Sequence, residues 1–115
     1  MNDLWFSGRV RFAIIIETIG LNGYYDSVYL FRSIDFNTAF RKVVEIGRNN
    51  EQSYFNGDNQ QVVWKLSDII SLDIIKSESL DGVEVYSEPV SGEDPSLTIE
   101  HEFHPELSEP TQTVF

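Results

Sequence analysis

Two histidines, His101 and His104, stand in a chain of 115 residues, both within Glu100-His101-Glu102-Phe103-His104-Pro105. Imidazoles flanked by carboxylates form a metal-ligand set. A spacing of three would bring the rings onto one face of a helix, but it sends them to opposite faces of a strand. Pro105 and the β-favouring Leu97-Thr98-Ile99 argue for an extended segment, which separates the rings. No metal and no other cofactor is therefore expected. A Ser-His-Asp arrangement would have to be assembled from the same stretch, and no serine lies in a Gly-x-Ser-x-Gly setting. Asp and Glu total 19, so chance pairs of carboxylates carry no weight; only an acid held among apolar neighbours is poised for proton transfer. Asp68 is that position, since it interrupts the face of Trp64 and Leu66, and its plainer role is to bond backbone N–H groups at a bulge. Phosphate loops of the Gly-x-x-x-x-Gly-Lys or Gly-x-Gly-x-x-Gly type are absent, and zero cysteine removes thiolate nucleophiles, disulfides and the usual structural zinc sites. The expectation is a protein without enzymatic activity, with a small metal-dependent hydrolase using His101 and His104 as the alternative.

Charge is more informative than any motif. The formal net charge is −11, with 8 bases against 19 acids. Residues 1–76 are close to neutral, whereas the stretch from Ser77 to Phe115 holds Glu78, Asp81, Glu84, Glu88, Glu93, Asp94, Glu100, Glu102, Glu106 and Glu109 and not one base. All four prolines, Pro89, Pro95, Pro105 and Pro110, fall there too. Such a balance opposes binding to nucleic acid phosphates or anionic lipid. No run approaches the roughly 20 apolar residues of a membrane span, and Met1 to Arg9 lack the apolar core of a signal peptide. A cytoplasmic protein is expected, with an α+β domain over 1–88 and an acidic, proline-containing C-terminal extension over 89–115.

The elements that must position these residues follow from periodicity. Leu4 to Glu17 alternates, with Leu4, Phe6, Val10, Phe12, Ile14 and Ile16 on one face and Arg9 and Arg11 on the other, as in a strand with one buried face. Gly20-Leu21-Asn22-Gly23 turns into a second strand over Tyr24 to Ile34. Between Asp35 and Ile46 the period changes: Phe36, Ala39, Phe40, Val43 and Val44 form a helical stripe, with Ser33 or Asp35 as N-cap and Gly47 as the terminating glycine. Glu51 to Phe55 and Gln60 to Ile75 bracket the turn Asn56-Gly57-Asp58-Asn59, and the second arm is long enough to require a bulge near Ser67-Asp68. Asp81-Gly82 then turns into a fifth strand, Val83 to Ser87. The order β-β-α-β-β-β predicts one antiparallel sheet of about five strands with one helix packed on one face.

One helix covers only one sheet face. The other is expected to carry Trp5, Ala13 and Ile15 with Tyr25, Tyr29 and Phe31. It would be covered by the extension through Leu97, Ile99, Phe103 and Leu107, by a second copy in a homodimer, or by a partner. Trp5 and Trp64 offer stacking surfaces, although core packing is the ordinary role of tryptophan. Arg9, Arg11, Arg32, Arg41 and Lys42 form a solvated face or receive the acidic extension of the same chain.

With the elements placed, the pattern resembles a small bacterial family of uncharacterised proteins, domain of unknown function 4288. The resemblance rests on Trp5-Phe6, Ala39 and Ile46-Gly47, Tyr54 with Asn56-Gly57, Val63-Trp64 and Asp81-Gly82-Val83-Glu84-Val85-Tyr86-Ser87. It covers residues 4 to 88, and it implies a fold without implying an activity, a cofactor or a catalytic residue.

Function is thus expected to reside in the acidic surface. Uncompensated negative charge speeds encounter with a positive protein, and interleaved apolar side chains supply affinity. The expected partner is a basic protein, most concretely a toxin domain such as a nuclease, which would make this an immunity protein. Glu84, Glu88, Glu93, Asp94, Glu100, Glu102 and Glu106 are the expected charge complements, and Tyr86 and Phe103 the anchors. A structural or regulatory homodimer pairing through the uncovered sheet face is the second alternative.

Overall fold

A computed structural model describes residues 3–92 and 97–115. Among these residues, four strands and one α-helix follow in the order β1 (Leu4–Ile16), β2 (Gly20–Ser33), α1 (Phe36–Asn49), β3 (Gln52–Phe55) and β4 (Gln61–Ile75). The strands form one antiparallel sheet in the order β2-β1-β4-β3. The class is α+β, as the periodicity predicts, with four strands instead of five.

β1 is central because it is the strand that can be apolar on one face along its whole length. Phe6, Gly8, Val10 and Phe12 turn toward α1, opposite Phe31, Tyr29, Ser27 and Tyr25 of β2. α1 lies on this face and closes an apolar core of Phe6, Val10, Phe12, Phe31, Ala39 and Val43. Its N-terminus is fixed by Asp35, whose Oδ1 accepts from the Thr38 amide at 2.7 Å. Bonding from the Thr38 amide first, and from the Thr38 side chain second, holds the Asp35 carboxyl below the usual aspartate range.

Gly47 does not end the helix. It is buried inside the last turn, and Asn50 ends α1 instead, its side chain donating to the Ile46 carbonyl at 2.7 Å. Glycine stands at 47 for contact: a Cβ there would lie 2.9 Å from Cδ1 of Leu66.

The long β4 is bulged where its length requires. Arg11 pairs with Asp68 and Phe12 with Leu66, which leaves Ser67 out of register, and a second irregularity leaves out Ile70. Asn56 organises the β3–β4 turn, its Oδ1 accepting from the amides of Asp58 and Gln60.

Two expectations fail on the sheet's other face. Tyr25, Tyr29 and Phe31 do not lie there; they pair with Phe12, Gly8 and Phe6 and share the helix-covered side. The register slips by one at Asn22, between the pairs Ile14–Gly23 and Ile15–Leu21, and a one-residue slip exchanges the faces of everything that follows. Val83 to Ser87 is not a fifth strand. Leu80 to Val83 does turn, with Gly82 at φ +78°. Both edges of β1 are already taken, and the chain then crosses over the sheet face as a strap, without pairing along an edge.

The extension does not cover this face either. Ile99, Phe103 and Leu107 are 100%, 70% and 78% exposed, and Leu97 is exposed as well. The described part of the extension contains one short 3₁₀ turn, Pro105–Leu107, which contacts no other element. No helix among the described residues is long and apolar enough to cross a membrane.

Candidate partner-binding surface

The side of the sheet away from α1 is organised by charge. Alternation places Arg9 and Arg11 of β1 there, and β2 brings Asp26 directly opposite Arg11. Asp26 receives Arg9 Nε at 2.7 Å on Oδ2 and Arg11 Nε at 2.8 Å on Oδ1, with a further bond from Arg11 Nη2 at 3.0 Å. Bonding to Arg11 first, and to Arg9 second, holds the Asp26 carboxyl below the usual aspartate range. Bonding to Glu88 first and to Asp26 second raises the Arg9 guanidinium above its ordinary value, and bonding to Asp26 raises that of Arg11. Asp68 is exposed and stands opposite Arg11, so it is not held among apolar neighbours.

The strap fastens onto this cluster. Glu88 Oε2 accepts from Arg9 Nη1 at 2.5 Å and from the Tyr86 hydroxyl at 3.2 Å, while the Tyr86 ring lies 5.0 Å from the Arg9 guanidinium carbon. The acid that Arg9 receives, Glu88, belongs to the 1–88 domain and not to the extension. Beneath this strap-bearing face, the hydroxyls of Ser7 and Ser71 are buried without a protein partner. Arg32 stacks over Trp5 at 5.5 Å, and Trp64 packs against the core, donating from Nε1 to the Tyr54 hydroxyl at 3.2 Å.

The expected binding residues divide into two sets. Tyr86 and Glu88 come together on Arg9, and Glu84 is exposed beside them, lining a cavity of about 180 Å³ with Asp73, Ile75 and Ser87. Glu100, Glu102, Phe103 and Glu106 are exposed, and among the described residues their side chains make no hydrogen bond or ion pair with the folded body. Glu93 and Asp94 lie outside the described residues. His104 Nδ1 meets Glu106 at 3.4 Å, and the His101 amide bonds the Thr98 carbonyl in a turn. Among the described residues no group of three or more His, Asp or Glu is gathered to hold a metal.

The Arg9–Asp26–Arg11 cluster escaped the sequence reading, although a signal existed. Asp26 is the only charged residue from Gly20 to Phe31, and Arg9 and Arg11 share the polar face of β1. The bulge at Asn22 hides which residues of β2 face them.

No curated protein and no solved structure matches the chain. The strands, the helix and the strap up to Ser87 are what the family comparison recognises, while Glu88 and the extension fall beyond it. The match is to DUF4288, described as a domain of unknown function, over residues 5–87, and the chain belongs to that family.

Proposed function

We propose that the protein is a non-enzymatic interaction protein that captures a basic protein partner through its acidic extension. One observation carries this reading. From Leu97 to Phe115 every residue is exposed, the acids have no base among them, and Ile99, Phe103 and Leu107 stand in water between the carboxylates. Charge without compensation sets a fast, salt-sensitive encounter, and exposed apolar side chains supply the contacts that hold it. Because Glu88 and Tyr86 are engaged on Arg9, the contacts fall to Glu84, Glu100, Glu102, Phe103 and Glu106.

The most concrete partner is a toxin domain whose cleft is built for phosphates, such as a nuclease. Carboxylates flanking an aromatic anchor can fill such a cleft and block it. The protein then acts as an immunity protein in the cytoplasm.

The test is affinity capture from native cytoplasm near 0.05 M and near 0.3 M salt, where the Debye length falls from about 14 to about 6 Å. A basic protein retained at low salt and lost to an E100K/E102K bait is the expected result. Retention equal on both baits, or no retention at either salt, overturns the proposal. A captured partner whose own activity is unchanged by saturating protein removes the neutralising part alone.

A further inference from the structure

The two edges of the sheet are not alike. On one side β3 pairs only with Gln61 to Trp64 of β4, and the rest of that edge is broken by the irregularities at Ser67 and Ile70 and by the charges Lys65, Asp68 and Asp73; on the other, β2 runs from Gly20 to Ser33 with no strand against its outer edge among the described residues. Long bare edges are templates for pairing, and soluble proteins blunt them with proline, lysine, bulges or inward-pointing charge. β2 has none of these between Tyr24 and Leu30. It contains no proline and no lysine, its register with β1 is unbroken from Gly23 to Ser33, and its one irregularity lies before that, at Asn22. Its single charge in that run, Asp26, is already neutralised by Arg9 and Arg11. Large side chains of the run stand open on both faces: Tyr24 is 57% exposed, Tyr25 54%, and Val28 and Leu30 44% each.

We propose that β2 is the seam of a two-fold dimer, in which two copies pair antiparallel through this edge into one continuous eight-stranded sheet. A second copy is the fitting occupant because the strand is complementary to itself. Antiparallel pairing about Ser27 sets Tyr24 against Leu30 of the second copy, Tyr25 against Tyr29, and Asp26 against Val28. Tyr24 with Leu30 and Tyr25 with Tyr29 are then apolar pairs, one on each face, Asp26 meets Val28, and no charge meets its like. Pairing about Asp26 would set the two aspartates against each other, which disfavours that register. This dimer goes beyond the capture of a basic partner and does not depend on it; no partner is present in its test.

The salt dependence is also opposite in sign. Two copies at −11 each repel, so edge pairing tightens as salt rises, whereas capture by the extension weakens.

The experiment is sedimentation of the full chain over a wide dilution series at about 0.3 M salt. A species of about twice 13.2 kDa is expected. The Y24E/L30E variant places glutamate against glutamate across the seam and raises the dissociation constant by about tenfold or more. The Y24K/L30E variant places lysine against glutamate in the same register and dimerises again, which separates a broken seam from a broken fold. In the parent protein, hydrogen exchange at alternate amides from Tyr24 to Leu30 slows as concentration rises. A monomer at every concentration, or a dimer indifferent to Y24E/L30E, overturns the proposal.

Discussion

On the helix-covered face of the sheet, Phe6, Val10 and Phe12 of β1 are at most 2% exposed and pack into one apolar cluster. One residue away along the same strand, Arg9 and Arg11 face the other side and are held by Asp26 and Glu88. A single alternating sequence therefore builds two surfaces governed by different physics. The first is stabilised by removing apolar area from water and by close packing, and it responds to volume. The second is a partly solvated charge cluster, which responds to pH and salt and contributes less per residue. Sequence recognition reaches both faces but stops at the strap that fastens them, one residue short of Glu88.

Volume changes on the first face give the largest effects. Phe6 is fully buried, stacked on Phe31 and edge-on to Phe36. Phe6→Ala is expected to cost about 3–5 kcal/mol in urea denaturation, the range for a large aromatic deleted from a core. Gly8→Ala tests the same packing from the opposite direction. A Cβ at Gly8 would lie 2.6 Å from Cγ2 of Val43 and 3.3 Å from Phe31. The helix must move outward to admit it, and the expected loss is about 1–3 kcal/mol. If Gly8→Ala is neutral while Phe6→Ala is severe, α1 rests loosely on β1 and the contrast between the faces narrows.

These two faces were unequally legible. The helix was readable because Phe36, Ala39, Phe40 and Val43 repeat with a period that no strand shares. Gly47 was misread because a glycine that ends a helix and one that lets a helix approach a sheet look the same in sequence; only Leu66, nineteen residues on, distinguishes them. The assignment of Tyr25, Tyr29 and Phe31 failed because parity across a turn depends on a single bulged residue, Asn22. Val83 to Tyr86 alternates as a strand does, but alternation reports side-chain direction and not hydrogen bonding, so a strap over a face carries the same pattern. Of the candidate binding residues, the charges were legible from composition alone. Which of them the body already uses was not, because Glu88 reaches a residue 79 positions away.

The charge cluster is tested by pH. Asp26 has a lowered carboxyl in the folded state, so its stabilisation is present above the ordinary aspartate value of about 3.9 and is lost as pH falls toward the lower folded value. Asp35 carries a second contribution of the same sign. Asp26→Asn is expected to cost about 1–2 kcal/mol at neutral pH, an exposed-to-intermediate charge-assisted bond. Melting of the variant and the parent should converge as pH drops below about 4, which isolates Asp26 from Asp35. A gap that persists unchanged at low pH would mean that Asp26 acts by shape, and the two faces would then differ less than their chemistry implies.

The smallest effect belongs to the extension, and its smallness is informative. Glu100 and Glu102 are exposed and the 3₁₀ turn that follows them contacts no other element. Reversing both to lysine should leave thermal stability within about 0.5 kcal/mol, the ordinary range for surface substitutions. The same variant is the one expected to lose a basic partner. Unchanged melting with lost capture would place stability and recognition in separate parts of one short chain, each free to change without the other. A fall in melting temperature would mean instead that these carboxylates lie against the body's own cations, and the charge face of the sheet would extend well past Glu88.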